Sequence, residues 1–142
     1  MTFSLSAEDQ LAVHQVIYRF FRSLDRNIAD EAGPLFTQDA KLDLGRPGAP
    51  TVHGRDAIVE DMRNRPSGRV TRHLVTCIII DAVAADRANV SIVNAIHAGP
   101  DDGSKVRDEI GASDTALVMV KEGDGQWRFD DMKRTITFKP QR

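Results

Sequence analysis

The feature that most constrains the fold is a change of hydrophobic period along the chain. Near the start, Leu11, Val13, Val16, Ile17, Phe20, Phe21 and Leu24 recur at helical spacing. From residue 69 onward the pattern becomes strand-like. Runs at 69–83, 87–98, 107–121 and 126–138 are rich in Val, Ile, Thr and Phe. Turn-forming stretches separate them: Ala85-Asp86, Gly99-Pro100-Asp101-Asp102-Gly103 and Gly123-Asp124-Gly125. Links this short between long strands require antiparallel pairing. Helices first and a sheet after them predict an α+β fold: a curved antiparallel sheet with the helices on one side.

The first half divides further. Ser6 stands where it can cap a helix, with Asp9 three residues on, so one amphipathic helix is expected over 6–26. A short second helix is expected over 28–35, ending near Pro34. Thr37 to Leu44 alternates loosely, as a strand would. Gly45, Pro47, Gly48 and Pro50 form a loop, and 54–62 reads as a third helix that Arg65-Pro66-Ser67-Gly68 stops. No repeat, low-complexity segment or linker appears, so 1–142 reads as one domain.

Composition narrows the function classes. A formal net charge of −2 with scattered basic residues argues against nucleic acid and anionic membrane as partners. The N-terminus lacks the pattern of a signal peptide, and no apolar stretch is long enough to span a bilayer. Cys77 is the only cysteine, so no intrachain disulfide can form, which fits a cytoplasmic protein. Four scattered histidines offer no metal-ligand spacing, and no phosphate loop or nucleophile elbow occurs. No cofactor and no metal are expected.

Two polar residues interrupt apolar faces. Asp25 closes the helical run Arg19-Phe20-Phe21-Arg22-Ser23-Leu24-Asp25, on a face shared with Tyr18 and Phe21. His73 opens a strand whose alternation puts His73, Val75, Cys77 and Ile79 on one face. A carboxylate that accepts from one ring nitrogen of an imidazole leaves the other free as a base. It also stabilises the imidazolium once a proton has moved. The plainer alternatives are a core histidine held by a backbone carbonyl and a surface aspartate at a helix end.

The residues also resemble a family. Leu35-Phe36-Thr37-Gln38-Asp39-Ala40, Gly54-Arg55-Asp56-Ala57-Ile58, Arg72-His73-Leu74-Val75-Thr76 and Gly125-Gln126-Trp127-Arg128-Phe129 are similar, in order and spacing, to the SnoaL-like branch of the NTF2-like superfamily. That resemblance implies an NTF2-like cone, a bent sheet wrapped around three N-terminal helices with a deep apolar pocket between them. The run from Arg19 to Asp25 resembles the first-helix motif of the bile acid 7-alpha-dehydratases and of scytalone dehydratase. Thr71-Arg72-His73 resembles their histidine-bearing strand, and lindane dehydrochlorinase carries a similar pair. By this resemblance His73 takes a proton from carbon and Asp25 orients it. His97 resembles a second pocket histidine, and Arg134 a pocket arginine of the bile acid dehydratases. The chain departs from the motif at Phe20, where those enzymes often carry a tyrosine able to donate a proton to a leaving oxygen.

The resemblance therefore implies a cofactor-free lyase or isomerase, dehydratase-like, acting on a small apolar cyclic molecule. Two other readings share the fold: a non-catalytic subunit like the small subunit of ring-hydroxylating dioxygenases, and a polyketide cyclase or hydrolase. An Asp25–His73 hydrogen bond beside an open cavity separates the first reading from a core filled by Phe20, Phe21 and Met119. Tyr18, Cys77 and Asp114 are further pocket candidates, with Asn94 a hint toward hydrolysis. Arg134 reads either as a partner for developing negative charge or as a surface ion pair. Arg63, Arg65 and Arg69 flank a loop and read as solvated, His14 and His53 read as surface, and Trp127 and Phe129 as core. One open sheet face needs cover, so a homodimer or homotrimer is expected. Loop 45–53 and the 99–106 turn are expected to shape the pocket.

Overall fold

The computed structural model describes residues 2–104 and 110–139. The chain opens with helix α1, Ala7–Asp25. Ser6 caps it, its hydroxyl accepting the Asp9 N–H at 3.1 Å. Asp9 then turns outward from the cap. Its carboxylate takes hydrogen bonds from Trp127 Nε1 at 2.8 Å and Lys121 Nζ at 2.9 Å, which ties the start of the helix to the sheet. The end of α1 is equally defined. Asn27 takes a left-handed conformation (φ 55°). The Ile28 N–H reaches back to the Ser23 carbonyl at 3.0 Å and the Asn27 N–H to Leu24 at 3.1 Å. This is a Schellman stop, built on one of the few side chains that tolerate that backbone region.

The expected second helix appears as two single 3₁₀ turns, Ala29–Glu31 and Gly33–Leu35. The physical reason is Gly33-Pro34: proline brings no N–H, and the residue before it is steered away from helical angles. Strand β1, Phe36–Asp43, and a two-residue strand β2, Val52–His53, precede helix α2, Arg55–Arg63. Arg55 clasps the Phe36 carbonyl through Nε and Nη2 at 2.9 and 2.6 Å, so α2 is fixed on β1.

Four long strands follow: β3 Val70–Ala84, β4 Arg87–Gly99, β5 Ile110–Lys121 and β6 Trp127–Phe138. They pair antiparallel in sequence order, as their short links require. Residues 107–109 of the expected third run, and 105–106 of the turn before it, lie outside the described residues. The sheet runs β2-β1-β6-β5-β4-β3. It is mixed rather than purely antiparallel, because β1 joins β6 in parallel. The inner face of this open, bent sheet holds the core with α1 and α2, in the α+β cone architecture. Phe20 packs edge-on against Phe36 and Phe129 at its centre, and those two are tilted to each other, with centroids 5.1 to 5.4 Å apart. Trp127 and Phe129 are buried in that core as expected. Among the described residues no helix is long and apolar enough to cross a membrane.

One irregularity changes which residues face inward. The β3–β4 register shifts between Thr76 and Ile79, and Cys77 sits there with φ 51°. The bulge adds a residue and reverses the alternation. His73 and Val75 face the core side before it, and Ile78, Ile80 and Ala82 after it. Cys77 and Ile79 are therefore exposed on the outer face, contrary to the uninterrupted alternation read from the sequence. Cys77→Gly is expected to hold or raise thermal stability, since glycine takes positive φ freely. Cys77→Val should lower it by about 1–2 kcal/mol, because a β-branched side chain is strained there. Thermal unfolding of the two variants checks both signs.

Candidate functional site

The last helical position of α1 is a poor place for a carboxylate, since the helix macrodipole is negative there. Asp25 is nevertheless placed there, and β3 supplies the compensation. Oδ1 accepts His73 Nδ1 at 2.5 Å and the Thr71 hydroxyl at 2.8 Å, and Oδ2 accepts the His73 backbone N–H at 2.9 Å. The side chains of His73 and Asp25 are only 6% and 11% exposed. Two neighbouring arginines satisfy the helix-end carbonyls: Arg65 donates to Leu24 at 2.8 Å and Arg72 to Asp25 at 3.2 Å.

Burial alone pushes the Asp25 carboxyl up. The hydrogen bonds from the His73 ring and backbone, the charge of His73 and the Thr71 hydroxyl outweigh it, and the net shift is downward. Asp25 is thus ionised at neutral pH and can only accept. Nδ1 of His73 is assigned as the donor, and neutral imidazole then keeps Nε2 as an acceptor. Nε2 has no hydrogen-bond partner among the described residues, and His73 lines a cavity of about 450 Å³. Phe21 packs on the imidazole with centroids 5.0 Å apart. The ring is held on one edge and one face, with its basic nitrogen unengaged.

The cavity lies between α1, the loop after α2 and the inner face of the sheet. Phe20, Leu24, Leu42, Ile96 and Ile136 give it apolar walls. Arg134 reaches it from β6, with Nε donating to the Leu44 carbonyl at 2.7 Å. Gly45 makes that approach possible: its φ is 63°, and a Cβ there would stand 2.4 Å from the Arg134 carbonyl oxygen.

The other sequence candidates are placed elsewhere. Tyr18 is 45% exposed and lines a second cleft, which it shares with Phe21, Asp25 and His73. His97 pairs with Arg72, one residue out of step with the inward pair His73 and Ile96, so it does not line the cavity. Asp114 is exposed and accepts the Thr137 hydroxyl at 2.8 Å on the outer face. With Cys77, these are corrections to the expected pocket, since they lie outside the cavity: strand parity accounts for His97, Cys77 and Asp114, while Tyr18 is on a different side of α1 from the cavity-lining Phe20. Arg65 and Arg69 are a correction in the other direction. They line the cavity instead of standing free in solvent, and Arg65 is half-buried.

Strand parity also brings in polar residues that the sequence reading named only in passing or missed. Asn94, Ser113 and Thr115 are buried, and Asn94 pairs with Ser113 across β4 and β5. Both amide atoms of Asn94 and both hydroxyls lack a hydrogen-bond partner among the described residues. Ser113 lines the cavity directly, and Thr115 pairs across strands with Arg134. Leu117 and Met119 carry the signal that could have found them. Once these define the buried side of β5, Ser113 and Thr115 share it and Asp114 does not. Among the described residues no cluster of three or more His, Cys, Asp or Glu could hold a metal ion.

Removing the Asp25 carboxylate strands three donors at a buried site. Asp25→Ala is expected to destabilise the fold by about 2–4 kcal/mol in chemical denaturation. The lowered folded-state pKa also sets a pH dependence. Below the ordinary value of 3.8 the unfolded chain binds the proton first. The contribution of Asp25 is thus present above about pH 4 and lost as pH falls through the folded pKa. Asp25→Asn should flatten that acid limb when unfolding is followed from pH 6 to pH 2, at about those limits.

A family model described as the SnoaL-like domain matches residues 5–133. A candidate scytalone dehydratase from Novosphingobium aromaticivorans superposes with a TM-score of 0.78 at 24% identity, covering 92% of this chain and 85% of that one. A candidate aromatic ring hydroxylase from the same organism gives 0.79 at 18%, covering 96% and 94%. A ketosteroid isomerase-like protein from Erwinia carotovora atroseptica gives 0.73 at 15%, covering 94% and 99%. Likenesses at these identities establish the fold alone. No curated protein matches the sequence. The family match covers the α1 run, the β3 histidine and most of the sheet, and on it the chain belongs to the SnoaL-like domain family.

Proposed function

We propose that the protein is a cofactor-free lyase or isomerase in which His73 removes a proton from carbon and Asp25 holds its tautomer. The observation that carries this reading is the 2.5 Å Asp25–His73 hydrogen bond, with Nε2 unengaged among the described residues and His73 lining an open cavity. A non-catalytic subunit would have its interior filled by Phe20, Phe21 and Met119. Here Phe20 forms a wall of the cavity, Phe21 supports the imidazole, and Met119 is buried in the core outside the cavity lining. The apolar walls suit a small ring compound, and a volume near 450 Å³ lies within the range of about 300–1,000 Å³ usual for small-molecule sites.

In the proposed reaction the C–H bond breaks toward Nε2 and its electron pair forms a new double bond. In dehydration the C–O bond breaks, and the imidazolium returns its proton to the departing oxygen as water leaves. In isomerisation the same proton returns to a different carbon. Arg134 and Ser113 stand in the cavity to bond the oxygen on which negative charge develops. The candidate scytalone dehydratase and the ketosteroid isomerase-like protein support this class by analogy of fold. We also infer that copies pair through the outer sheet face, where Leu74, Ile79, Val83 and Val93 are exposed. A monomer in sedimentation equilibrium would refute that pairing.

The test is exchange of substrate carbon-bound hydrogen with deuterated solvent, screened over hydroxylated and enone ring compounds. His73→Ala should lower the exchange rate by about 10²–10⁴-fold while its circular dichroism stays native. Unchanged exchange in that variant would refute the assignment.

A further inference from the structure

The cavity carries more positive charge than the one cation that proton transfer at His73 calls on. Among the described residues, Arg46, Arg65, Arg69, Arg134 and Lys139 line it against one carboxylate, Asp61. The chain as a whole has a formal charge of −2, so this positive field is local. Asp61 is already engaged, with its two oxygens on Arg46 Nη2 at 3.1 and 3.0 Å.

Among the described residues, Arg65 and Arg134 hydrogen-bond only to main-chain carbonyls, of Leu24 and Leu44. A carbonyl accepts a hydrogen bond without neutralising the cation. Burial lowers the pKa of both guanidiniums, and neighbouring cations lower it further. Arg46 and Arg65 act on Arg134. Asp25 and Asp61 raise Arg65, while Arg69 and Arg46 lower it. Like charges gathered at a half-buried rim repel one another, and an incoming anion relieves that repulsion.

We infer that the substrate carries a carboxylate, held between Arg65 and Arg134, while its apolar ring lies against Phe20, Leu24 and Leu42 within reach of His73. The inference rests on the proposed proton transfer for its orientation, and on the charge of the cavity for its chemistry. Guanidinium groups match the planar geometry of a carboxylate, and they keep their charge under partial burial where an ammonium would readily lose its own. Arg134 reaches this anion from β6 and Arg65 from the loop after α2. The carboxylate therefore clasps the sheet to the helical side of the cavity.

Calorimetric titration with naphthalene carboxylate and the matching neutral carboxamide tests this without turnover. The carboxylate should bind the wild-type protein at least about tenfold more tightly than the amide, a gap that shrinks in about 0.5 M salt. Arg134→Gln and Arg65→Gln should each reduce the preference severalfold and leave amide binding unchanged. Circular dichroism reports folding, and because Arg65 also holds the end of α1, the exposed rim variant Arg46→Gln is measured beside it. Equal affinity for acid and amide in the wild type, no carboxylate binding at all, or a preference intact in the Arg134 variant overturns the inference. His73→Ala should keep the preference. Lost exchange with the preference kept, exchange unaffected in that variant, and a missing preference thus report separately on the base and on the anion site.

Discussion

The geometry of this protein depends on how β3 accommodates one carboxylate. Asp25 stands in the last turn of α1, where the helix dipole opposes it and burial raises the cost of its charge. Three donors from Thr71 and His73 offset both. Asp9 at the other end of α1 shows the contrast. It sits in the favourable first turn and binds Trp127 and Lys121. The same residue type serves as a tie at both ends, but only the unfavourable end involves a titratable ring. Because Oδ1 and Oδ2 grip the side chain and the backbone of the same histidine, turning the imidazole gives up one of the three bonds by which this carboxylate joins α1 to β3. Orientation of the candidate base and attachment of α1 to β3 are therefore one interaction.

Much of this was legible in the residues because the dominant signals are local. Helical spacing from Leu11 to Leu24 placed α1, and short turns between long apolar runs placed β3 to β6. Asp25 and His73 were visible because each is a polar residue where the pattern demands an apolar one. What escaped depends on choices the pattern leaves open. The parallel β1–β6 pair joins segments far apart in the chain, and no local spacing encodes it. The bulge at Cys77 changes parity in mid-strand, so residues beyond it were assigned to the wrong face. Ser113 and Thr115 were lost to Asp114 through the same parity question on β5. Arg65 belongs to a loop, whose side chains take their direction from packing rather than from period.

The inner face shows what the fold asks of its sequence. Most of its residues make core: Phe20, Phe36, Leu42, Ile92, Leu117, Phe129 and Met132 are nearly inaccessible. A cone packed that way throughout would be stable and inert. Instead, a polar band crosses the sheet from His73 on β3 through Asn94 and Ser113 to Thr115 and Arg134. Buried hydroxyls and amides without partners cost stability, on the order of 1–3 kcal/mol each. Of the four atoms concerned, only the Ser113 hydroxyl belongs to a residue that lines the cavity. Hydrogen bonding to a polar ligand is what that hydroxyl has left to offer.

Phe20 decides which reactions remain open to such a site. Its ring cannot donate a proton, and the chain's one tyrosine, Tyr18, is half exposed outside the cavity. In the proposed reaction the proton that leaves carbon then resides on Nε2 of His73, held as imidazolium by the ionised Asp25. That proton is well placed for a departing oxygen on the same face, or for another carbon of the same ring system. A leaving group on the opposite face would meet, among the described cavity residues, guanidiniums, which do not give up a proton, and the exposed Lys139 ammonium. If His73 is the base, as proposed, this arrangement suits a one-face shuttle, either syn elimination of water or a proton shift along a conjugated system. Both begin more easily when the electron pair left on carbon can delocalise onto an oxygen that a cation stabilises, and Arg134 brings that cation to the cavity.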